Sequence, residues 1–308
     1  MVNYIFNQSK KYEMIKINCN LCDSKEYRVL RDNLKGKFIA VKCKNCGLEY
    51  INPIPFSVKE EAEDFYNELE YNLSFFNSLE KWEKLTLEEF SRQVNILKKI
   101  GLNKEKGIKR KFLDIGCGIG LYVKASQELG WEAVGLELDK KSTEYAINKW
   151  RLDIRRSLLE KANFKSETFD YIKVRYVFEH LPYPGRFLDQ VSKILKKGGF
   201  IQIDVPNQNG LINRLKMFFG LKKTNEWGCL DPPFHLHAYT PKILKSFLEK
   251  SGLKIEYIKT TTPGDPTFRP TLPDKSIKGF FYKISFYLLR IFLQNTGMGS
   301  IIAVFAQK

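Results

Sequence analysis

Three glycines at alternate positions, Gly116, Gly118 and Gly120, follow directly on the short apolar run Phe112–Ile115. An acid, Glu137, closes the next apolar run, Trp131–Leu136, about 20 residues after the glycine turn. Glycine lets backbone approach a bound ligand that any Cβ would hold off, and a turn this tight calls for positive φ. An acid at the tip of the second strand suits hydrogen bonds to ribose hydroxyls. A dinucleotide fingerprint, G-x-G-x-x-G, would put its third glycine at 121, where this chain has Leu. Asp114, two residues ahead of the first glycine, would repel a pyrophosphate but suits an ammonium group. The chemistry implied is a site for an adenosine-containing ligand that also carries an amine.

Four of the six cysteines pair off as Cys19-x-x-Cys22 and Cys43-x-x-Cys46, with 20 residues between the pairs. That spacing supplies two knuckles of two thiolates each, which together complete a tetrahedral zinc site. Gly47 fits the turn that faces backbone amides to the sulfurs, and no histidine stands nearby as a fifth ligand. The expected site is therefore closed and structural. Between the knuckles, Tyr27–Leu30 and Phe38–Val41 read as strands of a hairpin around Asn33–Gly36, the layout of a zinc ribbon. Cys117, inside the glycine turn, and Cys229 read as small packed residues.

The elements that must position these groups follow from hydrophobic period. After the proline-rich exit Asn52–Pro55, Ser57 and Glu60 form a capping box that opens a helical stretch running to Leu102, where Gly101 stops it. The basic run Lys104–Lys111 reads as a solvated loop. Helices over Leu121–Leu129, Lys140–Trp150, Gly185–Leu195 and Lys242–Lys250 alternate with strands at Phe169–Val174, Phe200–Val205 and Leu253–Thr260, with a last strand at Ile301–Phe305. Gly198-Gly199 is the expected stop between the third of these helices and the next strand. Such alternation predicts an α/β, Rossmann-like, mostly parallel sheet with helices on both faces, its ligand crevice at the carboxyl ends of the strands. The expected division is a zinc ribbon over 1–56, a helical connector or lid over 57–105, and a cofactor-binding domain over 106–308 with an insertion around 207–240.

The chain has 308 residues, 43% of them apolar and 14% aromatic, enough for a substantial core. No signal-peptide pattern and no membrane-spanning run is visible, so a cytoplasmic setting is expected. The formal charge of +16 favours anionic partners such as nucleic acid, lipid head groups or phosphorylated substrates. The basic residues are scattered, however, which makes that signal unspecific.

Asp114-Ile-Gly-Cys-Gly-Ile-Gly120 resembles the first motif of the class I S-adenosylmethionine-dependent methyltransferases. The likeness covers about residues 106–260 and extends to Phe169–Pro182, to Leu195–Phe200 with Asp204-Val-Pro-Asn207, and to Trp227–Thr240. It is closest to a subgroup with an N-terminal zinc ribbon. The resemblance implies S-adenosylmethionine as cofactor, with Asp114, Gly116, Gly118 and Gly120 at its methionine end and Glu137 at its ribose. Leu158 stands where the family often has an Asp on the adenine, which leaves Ser157 as the nearest polar candidate.

The resemblance also places the acceptor beside the three histidines of the chain, His180, His235 and His237, whose pKa range suits general-base work. Alternate spacing in an extended segment would put His235 and His237 on one side. Asp231-Pro-Pro-Phe234 looks like the D-P-P-Y motif of base-flipping enzymes, yet it follows the wrong strand for that role and reads as a loop start. The run Gly279–Gln294 reads as an amphipathic helix for packing or for peripheral membrane contact at the inner face. The expected function is methyl transfer to a small-molecule or sugar acceptor, free or linked to a nucleotide or lipid. Its rivals are an RNA methyltransferase, in which the ribbon and the basic surface grip phosphates, and a non-catalytic cofactor-binding protein.

Overall fold

The structure is a computed structural model and describes residues 14–55, 79–102, 109–219, 227–261, 292–293 and 296–308. The capping box at Ser57 and Glu60 and nearly all of the run Gly279–Gln294 lie outside these residues.

The central sheet has seven strands. They are β4 (Lys111–Ile115), β5 (Glu132–Leu136), β6 (Ile154–Arg155), β7 (Phe169–Arg175), β8 (Leu195–Pro206), β10 (Lys254–Thr261) and β11 (Ile301–Gln307). Their order is β10-β11-β8-β7-β4-β5-β6. The five strands from β8 to β6 run parallel, and β11 lies antiparallel between β8 and β10. This is the mostly parallel, doubly covered sheet expected from the alternation of elements. Helices α1 (Leu79–Lys99), α2 (Leu121–Glu128) and α3 (Lys140–Trp150) pack on one face, around Phe90, Phe112, Trp131 and Tyr171. Helices α4 (Pro184–Ile194) and α6 (Pro241–Lys250) cover the other, around Ile172, Val174, Ile201 and Ile203. A short helix, α5 (Leu211–Phe218), follows β8. Among the described residues no helix is long and apolar enough to cross a membrane.

A second, antiparallel sheet is built from β1 (Tyr27–Leu34), β2 (Phe38–Cys43), β3 (Glu49–Ile51) and the two-residue strand β9 (His237–Ala238). The cysteine-rich hairpin therefore takes its last strand from the distant insertion. Its interior is shared too: Leu34, Phe38, Ala40 and Ile51 bury against Leu230, Phe234, Leu236 and Ala238. A hairpin this small, with two apolar faces, buries too little on its own, and the insertion supplies cover for one of them.

Helix α4 passes into β8 at Leu195 without a break, so Gly198-Gly199 lies inside the strand. Between the pairs Phe169–Leu195 and Tyr171–Phe200 the register shifts, because β8 carries extra residues there. Gly198, at φ 74°, takes the turn of this bulge, and Lys196 is held outside by Asp170 at 2.9 Å. The glycines shape a bulge rather than ending a loop.

Candidate active site

On the α1–α3 face, each central strand changes from apolar to charged toward its carboxyl end. Phe112 gives way to Asp114, Tyr171 to Lys173 and Arg175, and Phe200 to Gln202 and Asp204. The register sets Asp114 beside Lys173, and Lys173 beside Gln202. Period-two alternation puts all of these side chains on one face, where they form a polar floor. Lys173 is fully buried, 3.2 Å from Asp204 and 3.3 Å from Gln93 of α1, and lies over the Tyr122 ring. Arg175 donates to Glu89 of α1 at 3.0 Å and to the Tyr122 hydroxyl. Burial pushes Glu89 up, but Arg175 and Lys173 outweigh it and hold the carboxyl below its usual range.

The glycine turn roofs this floor. Gly116, Gly118 and Gly120 all have positive φ, at 73°, 54° and 78°. A Cβ on Gly116 would come within 2.2 Å of Val177 Cγ2, and one on Gly120 within 2.8 Å of Leu152 Cδ1. The turn thus needs glycine for its conformation at all three positions and for clearance at Gly116 and Gly120. Beneath it Asp114 is 2% exposed, and its Oδ2 has no hydrogen-bond partner among the described residues. Burial, with Glu137 and Asp204 adding to it, lifts this carboxyl to about 7 against the pull of Lys173 and Arg175. A buried, unpartnered carboxylate oxygen under a glycine turn fits the ammonium group of an amino-acid ligand.

Glu137 sits opposite, at the tip of β5. Its carboxylate accepts from Gly118 N at 2.7 Å, from Leu138 N at 2.7 Å and from Asp139 N at 2.9 Å. The acid read as a ribose ligand also clamps the glycine turn. Ser157 follows β6, beside Glu137 through the Glu137 N–Arg155 O bond of 3.1 Å, and its hydroxyl donates to the Leu158 carbonyl at 2.9 Å.

The segment after β7 leads to the histidines. Tyr176 has a left-handed backbone, φ 56°, a strained conformation for a bulky residue and one that clusters at functional sites. Val177 then packs on Gly116, and Glu179 and His180 turn toward the insertion. His180 Nδ1 lies 3.1 Å from the Phe234 carbonyl, and His235 Nδ1 lies 2.9 Å from the Cys229 carbonyl. The two rings meet edge to face, with centroids 4.8 Å apart. Burial, with His235 adding to it, lowers His180 to about 3, which leaves it neutral at physiological pH. Glu179 is 1% exposed, and neither of its carboxylate oxygens has a hydrogen-bond partner among the described residues. Burial lifts its carboxyl to about 8.

His237 lies elsewhere. It is buried in β9, stacked near Tyr50 and Tyr239, with Nε2 3.0 Å from Asn20 Nδ2 between the first two cysteines. Strand parity does not carry from His237 back to His235, because His235 closes a turn onto Asp231 ahead of β9. Only His180 and His235 are brought together. Asp231 itself pairs with Lys35 of the ribbon hairpin, and Lys35 lies over the Phe234 ring, so Asp231–Phe234 serves as a turn against the ribbon.

The four cysteines converge. Cys19 and Cys46 sulfurs lie 3.4 Å apart, those of Cys22 and Cys43 lie 3.5 Å apart, and all four fall within 4.8 Å of one another. A tetrahedron with zinc–sulfur bonds of 2.3 Å has edges of about 3.8 Å. The donor set therefore fits one zinc ion. Burial pushes the Cys19 and Cys46 thiols up, whereas at Cys43 burial is outweighed by the backbone amides of Cys46 and Asn45, which favour the thiolate.

Sequence reasoning missed Glu179, Lys173, Asp204 and the α1 residues Glu89 and Gln93. The signal was present as charged side chains inside otherwise apolar strands, but no local pattern tells a buried charge from a solvated one.

Comparison with known proteins adds family information. Residues 82–258 match the model of a family described as a methyltransferase domain. The chain is 29% identical over 162 residues to the mitochondrial ubiquinone biosynthesis O-methyltransferase of Homo sapiens, covering 48% of this chain and 42% of that protein. It is 34% identical over 121 residues to the ubiquinone biosynthesis O-methyltransferase of Pelagibacter ubique, covering 37% and 50%. The chain thus spans about half the length of these relatives. Among solved structures, a SAM-dependent methyltransferase from Archaeoglobus fulgidus aligns with a TM-score of 0.48 at 19% identity, covering 73% of this chain and 94% of that one.

Proposed function

The chain belongs to the methyltransferase-domain family, and from that membership we propose that it transfers a methyl group from S-adenosylmethionine to a hydroxyl of a small-molecule or sugar acceptor. The observation that carries the reading is Asp114, a buried carboxylate with one unpartnered oxygen directly beneath a three-glycine turn. Its charge suits the amine of the methionine end, while Glu137, already holding the turn, offers its remaining lone pairs to the ribose. Ser157 stands toward the adenine. S-adenosylmethionine supplies a methyl on a sulfonium, which is already a good leaving group. The work of the protein is then to hold the acceptor oxygen in line and to keep water out.

His180 and His235 stand on the side from which the acceptor approaches, next to the residue packed on Gly116. His180 Nδ1 and His235 Nδ1 each face a backbone carbonyl, which fixes both rings; His235 is the imidazole that takes the acceptor's proton, and His180, held neutral by burial, orients it edge to face. His237 serves as a positioning residue that fixes the insertion to the ribbon, and Cys19, Cys22, Cys43 and Cys46 hold a structural zinc. The names of the curated relatives favour a small hydroxylated acceptor over RNA.

Incubation with methyl-labelled S-adenosylmethionine and a panel of phenols, catechols, sugars and nucleotide sugars tests the reading. Label is expected in the low-molecular-weight fraction, with turnover falling at least tenfold in His235→Ala. Label appearing only in added RNA, with loss of RNA retention as salt rises, would overturn it.

A further inference from the structure

We propose that the outer end of α5, together with Phe292, is a docking face for the surface of an anionic lipid bilayer. Leu211, Leu215 and Phe218, with Phe219 at the cap, recur at the spacing of one helical stripe. In α4 and α6 such a stripe is buried on the sheet. Here it emerges into solvent: Leu215 is 45% exposed, Phe218 82% and Phe219 62%. The two phenylalanine rings meet edge to face, with centroids 5.1 Å apart. Phe292, 52% exposed, belongs to the same corner. Leu211 N donates to the Met298 carbonyl at 2.9 Å, and Met298 N to the Leu293 carbonyl at 3.0 Å. These bonds tie the start of α5 to the turn that follows Phe292. Exposed large apolar side chains gathered in this way mark a surface that something covers.

The charge and composition of the chain around this face indicate a bilayer as the cover. The stretches 205–225 and 275–308, which contain these residues, hold no Asp or Glu, against four Lys or Arg in the first and five in the second. Such stretches attract anionic head groups. A second copy of the chain would instead set the same basic stretches against one another, with no acid in them to pair. Six aromatic residues fall between 280 and 292. Aromatic rings interspersed with Lys and Arg are the composition of segments that lie at the level of the head groups.

Helix α5 follows the carboxyl end of β8, and β4, β7 and β8 run parallel. The face therefore lies at the same edge of the sheet as the glycine turn and the segment after β7. A chain docked here would present that edge to the bilayer, which suits an acceptor carrying a lipid tail. This consequence rests on the methyl-transfer reading; the docking itself does not.

The experiment is cosedimentation of the full, zinc-loaded chain with vesicles of phosphatidylcholine and phosphatidylglycerol in equal parts. Binding is expected, weakening as salt rises, and falling about tenfold in Phe218→Ser/Phe219→Ser and about fivefold in Arg214→Gln. Leu129→Ser, at an exposed leucine just past α2, should bind as the unaltered chain does. Thermal unfolding verifies that each variant folds; if the double variant does not, Phe218→Ser alone decides. No binding to the mixed vesicles, or undiminished binding in the folded phenylalanine variants, would overturn the proposal. A dimer that dissociates in those variants, seen by sedimentation velocity, would assign the face to a second copy and overturn it as well. Binding of S-adenosylhomocysteine, expected unchanged in these variants, reports separately on the methyl-transfer reading.

Discussion

Asp114 sets a conflict between stability and ligand binding that pH resolves in opposite directions. Burial lifts its carboxyl to about 7, with Glu137 and Asp204 pushing the same way and Lys173 and Arg175 opposing. The folded chain therefore holds a proton that the unfolded chain releases, and stability falls as pH rises from about 4 to about 7. Ligand affinity runs the other way, because only the ionised carboxylate pairs with an ammonium group. Affinity for S-adenosylhomocysteine is expected to rise about tenfold from pH 6 to pH 8, and to stay flat in Asp114→Asn, whose unfolding should also lose its dependence on pH over the lower window. Calorimetry at the two pH values checks this; an equal rise in the variant would remove Asp114 from the site.

Among the elements, the ribbon and the insertion act together. Asn20, in the first knuckle, reaches His237 at 3.0 Å and the Pro182 carbonyl at 2.9 Å, and Lys250 of α6 donates to the Leu21 carbonyl at 2.7 Å. With β9 completing the ribbon sheet, the thiolate cluster braces the segment that carries His235. Removing zinc by chelation, or by Cys43→Ser, should cost one metal ion per chain and speed hydrogen exchange at His237 and Ala238 at least tenfold, while Glu132–Leu136 stays protected. Unchanged protection of β9 in the zinc-free chain would separate the ribbon from the segment that carries His235. This coupling was not legible in the sequence. The knuckle spacing and hairpin could be read because turn glycines and strand alternation are local; β9 could not, because two residues carry no period. Likewise, Gly198-Gly199 signals a bend but not whether it ends a strand or bulges one, since the answer depends on the pairing with Phe169 and Tyr171.

At the scale of the whole molecule, the βαβ unit of β4 and β5, the glycine turn and Glu137 follow from patterns within about 30 residues of one another, whereas the place of β11 between β8 and β10 joins residues about 100 apart. The polar floor and the histidine cluster are not local either, for they join α1 to β7 across 80 and 86 residues, β7 to β8 across 31, and the segment after β7 to the insertion across 54. The net charge of +16 spreads over this frame without defining a site. The frame sets Asp114, the glycines and Glu137 at the carboxyl ends of β4 and β5, and Glu179, His180 and His235 beyond the carboxyl end of β7. The first of these groups is the one proposed to hold S-adenosylmethionine. Isothermal calorimetry of the full chain with S-adenosylhomocysteine tests it most directly. One site per chain with micromolar affinity, lost when Gly118 is replaced by Val, is the predicted result; the absence of any binding heat in the folded, zinc-loaded protein would contradict the account.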